Sequence, residues 1–339
     1  MGDDTFRILS IDGGGIRGIF PAKILSEIEN RLTKEGKPHS IFQYFDLIVG
    51  TSTGGIIALA LSFGIPASEI TSMYCDNAKN IFQRNYGLGA FNAKYKRDAL
   101  EKLLKDKFKK DESGEQLRLH DAKTKLCIPA FKGGYATTTI YKTKHHADYE
   151  RDYHIPAYQI ALATSAAPTY FKPYDIVYEK LDNQGSDIIA GNIDGGVYAN
   201  NPALIGLHEA VTKLRVPYNK LRILSIGTGL NRYQTEVDGG KYGLWYWIKR
   251  KKLFDLMMYA QSEHVNEIIN LLNDGLPPDY QFMYDRINFD LNVKMDLDCT
   301  DSKKLQHLAG TASNKMQEDG KRIMENFFYA PTNEFNFKN

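Results

Sequence analysis

The sequence predicts an α/β protein with a mainly parallel central sheet, and three observations predict it. Short apolar runs rich in β-branched residues alternate with amphipathic stretches from Phe6 to Gly229, the rhythm of strand–helix–strand units. Two of those runs end in glycine-rich turns that open directly into helical patterns. From Leu230 onward the rhythm stops, and aromatic, basic and helical segments follow without a strand ladder. The expectation is a three-layer α/β/α core over residues 6–229. A helical extension over 230–339 packs on it, a candidate regulatory or membrane-contact region.

The elements follow in chain order. "FRILSID" (Phe6–Asp12) mixes β-branched and large apolar residues and reads as a buried strand. After the glycines of residues 13–18, Ile24, Leu25, Ile28 and Leu32 recur at helical spacing until Gly36 and Pro38 stop the helix. "YFDLIVG" is a second short strand, and "TSTGGIIALALSFG" a tight turn into an apolar helix. Residues 68–111 read as helical, ending in the solvated charge run "EKLLKDKFKKDESGE". "KLCIPAFKG" and "TTTIYKT" are strand candidates, and "YHIPAYQIALATSAAPTYF" reads as a helix ending at Pro168. "DIIAGNIDGG" and "LRILSIGTG" complete the strands, with "PALIGLHEAVTKLR" the helix between them.

Bulk properties narrow the classes. The chain has 339 residues, 42% hydrophobic and 25% charged, so a sizeable core is within reach. A net charge of +2 gives no reason to expect a nucleic-acid polymer as partner. Cys75, Cys127 and Cys299 are odd in number and far apart, which fits a reducing compartment and forms neither a disulfide framework nor a zinc motif. No His/Cys/Asp/Glu cluster has ligand spacing, so no metal or other cofactor is expected. The acidic start reads as lacking a secretory signal, Phe6 stands where myristoylation wants Ser or Thr, and "GGIIALALSFGI" is too short to span a bilayer. A cytoplasmic location is the expectation.

Two glycine signals carry the chemistry. Gly13-Gly14-Gly15-Ile16-Arg17-Gly18 matches G-x-G-x-x-G after a strand and before a helix. Such a turn either cradles a phosphate or aims amides at an oxyanion. A dinucleotide fold also wants an acidic residue ending a second strand about 20 residues on, where this chain has "RLTKEGKPHS". The second signal, Gly50-Thr51-Ser52-Thr53-Gly54, has the G-x-S-x-G form of a nucleophile elbow, with a strand before it and a helix after it. Gly50 and Gly54 supply the missing bulk that so sharp a turn needs. Ser52 then stands at a helix N-terminus that favours developing negative charge.

A serine hydroxyl needs a base. None of the eight histidines (His39, His120, His145, His146, His154, His208, His264, His307) stands in the short post-strand loop where a triad histidine is wanted. Asp194 ends an apolar strand and is followed by Gly195 and Gly196, so its carboxylate should project from the sheet's C-terminal edge.

Strand–"DGGGIRG"–helix, strand–"GTSTGG"–helix and strand–"DGG", in that order, resemble the patatin-like phospholipase family. "ATSAAPTYF" (Ala163–Phe171) and "SIGTG" (Ser225–Gly229) are similar to further family segments. The likeness covers Phe6 to about Gly229 and implies lipid acyl hydrolysis by a Ser–Asp dyad without histidine or metal. Residue by residue, it implies Ser52 as nucleophile and Asp194 as base. It places Gly13, Gly14 and Gly15 as oxyanion donors with Arg17 beside them, and makes Gly18, Gly50, Gly54, Gly195 and Gly196 motif glycines. The alternatives are a constitutive patatin-like esterase or a catalytically idle lipid-binding or storage protein, with a serine peptidase as a further class.

In the extension, Trp245 and Trp247 stand beside Lys249, Arg250, Lys251 and Lys252. That suits either an anionic membrane interface or a buried aromatic helix with one basic turn. Patatin-like chains of this size also resemble bacterial antiphage effectors switched on by cyclic nucleotides. That resemblance implies a second-messenger pocket, a homo-oligomer under its control, and peripheral attack on membrane phospholipid.

Overall fold

In the computed structural model, which describes residues 4–85, 93–181, 185–230, 252–332 and 335, strands β1 (Phe6–Ile11) and β2 (Leu47–Gly50) pair in parallel at the centre of the sheet. Their alternate side chains divide between two cores: Leu9, Ile11 and Ile48 enter one, Ile8, Leu47 and Val49 the other. Burial on both faces is why these strands read as unbroken apolar runs rather than as alternation. Helices α1 (Ile19–Lys34), α2 (Thr53–Ser62), α3 (Ala67–Ile81), α4 (Asp98–Lys107) and α5 (Ala157–Thr164) cover the first face. The four apolar residues at helical spacing in α1 are all fully buried. The short α6 (Gly196–Ala199) leads into α7 (Ala203–Thr212), which covers the second face with part of α8 (Lys252–Asp274). The layers are α/β/α, as the sequence predicts.

The remaining strands are β3 (Lys125–Lys132), β4 (Thr137–Lys142), β5 (Tyr174–Glu179), β6 (Ser186–Asp194), β7 (Leu221–Ile226) and β8 (Met283–Ile287). The sheet order is β5-β6-β3-β2-β1-β7-β8, with β4 on the other side of β3. Pairs β1–β2, β1–β7, β2–β3 and β7–β8 are parallel; β3–β4, β3–β6 and β5–β6 are antiparallel.

One consequence of this order positions the site. Strand β4 occupies one edge of β3 from Cys127 to Lys132. Strand β2 pairs with Lys125–Cys127 and β6 with Ala130–Lys132, so these two share the opposite edge. They approach head-on, and Pro129, which has no N–H to pair, lies in the gap between them. The second residue after β2, Ser52, and the last residue of β6, Asp194, are thus brought face to face.

Three local expectations are corrected. Strand β8 lies beyond residue 230, where the sequence shows no strand ladder: its Asp285 and Arg286 disguise it, and both are paired, with Arg322 and Asp12. Strand β5 is a second addition to the expected set, because it alternates buried and exposed residues instead of running apolar. Helix α5 ends at Thr164, not Pro168. After β8 come α9 (Ser302–Glu318), capped by the Asp301 carboxylate, and α10 (Gly320–Phe327). Among the described residues no helix is long and apolar enough to cross a membrane.

Candidate active site

Ser52 occupies a backbone conformation, φ +55° and ψ −121°, that few non-glycine residues adopt, and such strain costs about 1–3 kcal/mol. It is held by close backbone approaches on both sides. A Cβ on Gly50 would lie 2.2 Å from the Gly54 carbonyl oxygen, and one on Gly54 would lie 2.2 Å from the Ile11 carbonyl oxygen. The Ser52 N–H donates to Thr164 Oγ1 at 3.0 Å, and that hydroxyl donates to the Pro129 carbonyl at 2.6 Å. Thr51 Oγ1 donates to the Ala199 carbonyl at 2.5 Å. The elbow is therefore clamped against the gap in the β3 edge.

Across that gap, Ser52 Oγ donates to Asp194 Oδ2 at 2.6 Å, and Asp194 Oδ1 accepts the Gly196 N–H at 2.7 Å. Both side chains are buried. Burial pushes the Asp194 carboxyl up to about 7, against the opposing pull of the Ser52 hydroxyl and the Gly196 amide. A Cβ on Gly195 would meet the Pro129 carbonyl oxygen at 2.3 Å, and one on Gly196 the Asp194 carboxylate at 3.0 Å. Asp194 reaches the C-terminal level of the parallel strands, as the sequence suggests, but from the opposite direction, because β6 is antiparallel to β3. Among the described residues no histidine hydrogen-bonds to Ser52 or Asp194.

The first glycine turn wraps against the elbow: a Cβ on Gly13 would lie 3.3 Å from Ser52 Cβ, and one on Gly18 2.2 Å from Thr53 Oγ1. Its three glycines are not equivalent. The Gly13 N–H donates to the Asn200 carbonyl at 3.0 Å, so it is occupied and the expectation that it faces an oxyanion is corrected. Among the described residues the N–H groups of Gly14 and Gly15 have no acceptor. Gly15, at φ +57°, packs against Leu297, whose carbonyl takes the Ile16 N–H at 2.8 Å. Arg17 is corrected as well. Its side chain is buried behind the turn, directed to the carbonyls of Gly14 (3.4 Å) and Gly229 (3.3 Å) and to the Tyr259 hydroxyl. It supports the turn from behind. Asp12, immediately before the glycines, forms a buried two-pronged ion pair with Arg286 at 2.7 and 3.2 Å.

Ser52, Asp194 and Gly15 open onto an apolar slot lined by Ile56, Tyr74, Phe82, Tyr170, Phe171, Phe254, Met258 and Leu297. Its free volume is about 50 Å³, room for roughly three to five water molecules.

The patatin-like phospholipase family profile matches residues 9–207, which contain the whole Ser52–Asp194 arrangement. The chain belongs to that family. Its sequence is 32% identical to a cGAMP-activated phospholipase of Escherichia coli over 97% of this chain and 94% of the relative. It is 32% identical to one of Pseudomonas aeruginosa over 94% and 88%, and 30% identical to patatin-like protein 2 of Oryza sativa over 84% and 76%. The family chemistry is serine-dependent, and this patatin-like chain is a serine-dependent ester hydrolase.

For this family member the sequence reading missed several supports of the site. Thr164 lies inside "ATSAAPTYF" and Asn200 six residues after Asp194, but only their long-range contacts reveal their work. Leu297 and Arg286 carry no local signal. Trp245, Trp247, Lys249, Arg250 and Lys251 lie outside the described residues, and Lys252 is the first residue of α8. Sequence spacing also hid one cluster on the second face of the sheet, where ligand atoms of Cys127, His145 and Glu209 come within 4.8 Å of one another. Glu209 there accepts from Lys142 Nζ and the Tyr149 hydroxyl, both at 2.6 Å, and lies 3.1 Å from His145 Nε2. The lysine ammonium already balances the carboxylate, and these bonds hold the glutamate at about 2 against the opposing effect of burial.

Proposed function

We propose that the chain releases fatty acids from membrane phospholipids through a Ser52–Asp194 dyad, and that a cyclic dinucleotide switches it on. The observation that carries the dyad is the 2.6 Å hydrogen bond from a strained serine to a buried carboxylate with no histidine between them. Asp194 takes the Ser52 proton as Oγ attacks the ester carbonyl carbon. The tetrahedral oxyanion meets the N–H groups of Gly14 and Gly15. Collapse breaks the ester C–O bond, and the departing lysophospholipid oxygen takes the proton from Asp194. Water then gives a proton to Asp194 and attacks the acyl-enzyme. The second collapse returns that proton to Ser52 Oγ and frees the fatty acid. A carboxyl near 7 is a far better base than one at the ordinary 3.8.

Two relatives named cGAMP-activated phospholipases, matched along nearly their full lengths, support activation by a cyclic dinucleotide. Under this reading the active enzyme is cytoplasmic, self-associates on activation and docks peripherally on a bilayer. Trp245 and Trp247 with Lys249, Arg250, Lys251 and Lys252 are the contact, and the biological setting is antiphage defence. No metal takes part in any step.

The test is fatty-acid release from phosphatidylethanolamine–phosphatidylglycerol vesicles by wild type and Ser52→Ala, with and without cGAMP. Release that needs both Ser52 and cGAMP is expected. Equal release by Ser52→Ala would remove the dyad, and wild-type release indifferent to cGAMP would remove the switch.

A further inference from the structure

Beside the apolar slot lies a second, polar cavity of about 520 Å³ that the ester chemistry does not use. Among the described residues, four cations, Arg84, Lys94, Lys294 and Lys304, face two carboxylates, Asp296 and Asp298, across it, an excess of two positive charges. One side is aromatic: Phe82 and Tyr95 line it, their rings meeting edge-on with centroids 5.2 Å apart. Surplus cations beside aromatic rings suit an anionic ligand that carries both phosphates and bases.

The wall between the two cavities is thin. Phe82 lines both. Asp296 and Asp298 line the polar cavity, while Leu297 between them lines the slot and holds the Ile16 N–H at 2.8 Å. A Cβ on Gly15 would lie only 2.3 Å from the Leu297 carbonyl oxygen, so the oxyanion turn and this segment are in direct contact. The segment is fixed on its polar side through Asp298, which accepts from the Tyr95 hydroxyl at 2.6 Å and from Lys94. Tyr95 in turn packs on Tyr170 and Phe171 of the slot wall, with centroids 6.2 and 6.1 Å away.

We propose that this cavity is where the activator binds and that Asp298 is the latch. The inference rests on the reading that a cyclic dinucleotide activates the chain, and it adds the place and the coupling. Phosphates drawn to Arg84 and Lys294 compete with Asp298 for Lys94. Release of Asp298 frees residues 296–298, so Leu297 moves, the slot widens and the Gly14–Gly15 amides are set for the oxyanion. The ligand class is a cyclic dinucleotide, with two phosphodiester charges against the two surplus cations.

The experiment measures cGAMP binding to the full chain by titration calorimetry and fatty-acid release from the same vesicles. It compares wild type, Arg84→Glu/Lys294→Glu, Arg84→Lys/Lys294→Arg and Asp298→Asn. Both charge-reversed side chains are exposed, and thermal melting checks that each variant is folded. The charge reversal should weaken cGAMP binding at least tenfold and move the half-activating concentration by the same factor, and the conservative pair should restore both. Asp298→Asn should raise release without nucleotide several-fold. Wild type bound and activated by cGAMP, with the charge-reversed variant binding equally well, overturns the site and leaves the proposed function standing. An unchanged basal rate in Asp298→Asn overturns the latch, and wild type that neither binds nor responds to cGAMP overturns both readings.

Discussion

Replacing Asp194 by Asn should sharply slow hydrolysis and yet stabilise the protein at neutral and alkaline pH. The carboxyl titrates near 7 in the folded chain against an ordinary 3.8. Because the folded value is raised, the native state keeps a proton that the unfolded chain has released between those two values. The contribution of Asp194 to stability therefore falls as pH rises from about 4 to 7. A gap of about three units, at about 1.4 kcal/mol each, amounts to about 4 kcal/mol above pH 7 and nothing below pH 4. Asparagine has no proton to lose, it can still accept the Gly196 N–H, and it stays beside the Ser52 hydroxyl. Urea denaturation of both proteins at pH 5 and pH 8 reads the difference directly. The variant should gain about 2–4 kcal/mol relative to wild type at pH 8 and about half of that or less at pH 5, while kcat falls about 10²–10⁴-fold. A stability difference that is the same at the two pH values would refute the reasoning, since Asp194 would then not be a carboxyl whose ionisation is opposed by burial.

Three further outcomes follow from the same geometry. Wild-type kcat/KM should rise between pH 6 and 8 with a midpoint near 7, as Asp194 gains its basic form; a flat profile down to pH 5 counts against the assigned base. Gly15→Ala must force φ +57° on a residue with a Cβ that meets the Leu297 carbonyl oxygen at 2.3 Å. It should cost about 1–3 kcal/mol and lower kcat about 10²–10³-fold, read by denaturation and vesicle assay. Arg286→Leu strands the buried Asp12 carboxylate and should cost about 3–5 kcal/mol, most of it recovered in Asp12→Asn/Arg286→Leu; an uncorrected double variant would show that the pair does not act as a unit.

The parallel half of the fold was legible because strands buried on both faces leave continuous apolar runs, as in "FRILSID" and "LRILSI". The glycine turns were legible for a different reason: the backbone approaches at Gly50, Gly54 and Gly195 admit no side chain, so the chemistry writes itself into the residue types. Strand β8 was not legible, because Asp285 and Arg286 look solvated in sequence and are neutralised only by Arg322 and Asp12, far away along the chain. Nor could spacing show that β2 and β6 meet head-on along one edge of β3, which decides that Ser52 and Asp194 touch. The difference between Gly13 and its two neighbours was likewise hidden, since it depends on where the Asn200 carbonyl falls.

The glycine turn comes early in the sequence, yet most of what holds it comes from beyond residue 227. Thr228 Oγ1 donates to the Gly13 carbonyl at 2.8 Å, and Arg17 is anchored by Gly229 and Tyr259. Arg286 neutralises Asp12, and Leu297 fixes Ile16 and crowds Gly15. By contrast, the Ser52–Asp194 bond depends on β2, β3, β6 and Thr164, all earlier in the chain. Ser52 and Asp194 thus belong to one part of the structure, and the amides proposed as oxyanion donors to a turn gripped by another. Under the proposed activation, such a division would let a ligand in the polar cavity act through residues 296–298 on the glycine turn without touching the Ser52–Asp194 bond. A movement that spares the 2.6 Å hydrogen bond but displaces Gly14 and Gly15 removes electrostatic stabilisation of the transition state alone. The expected signature is a nucleotide effect on kcat for vesicle hydrolysis with little change in the pH midpoint set by Asp194. A midpoint that shifts by a full unit on activation would mean instead that the switch acts through the dyad.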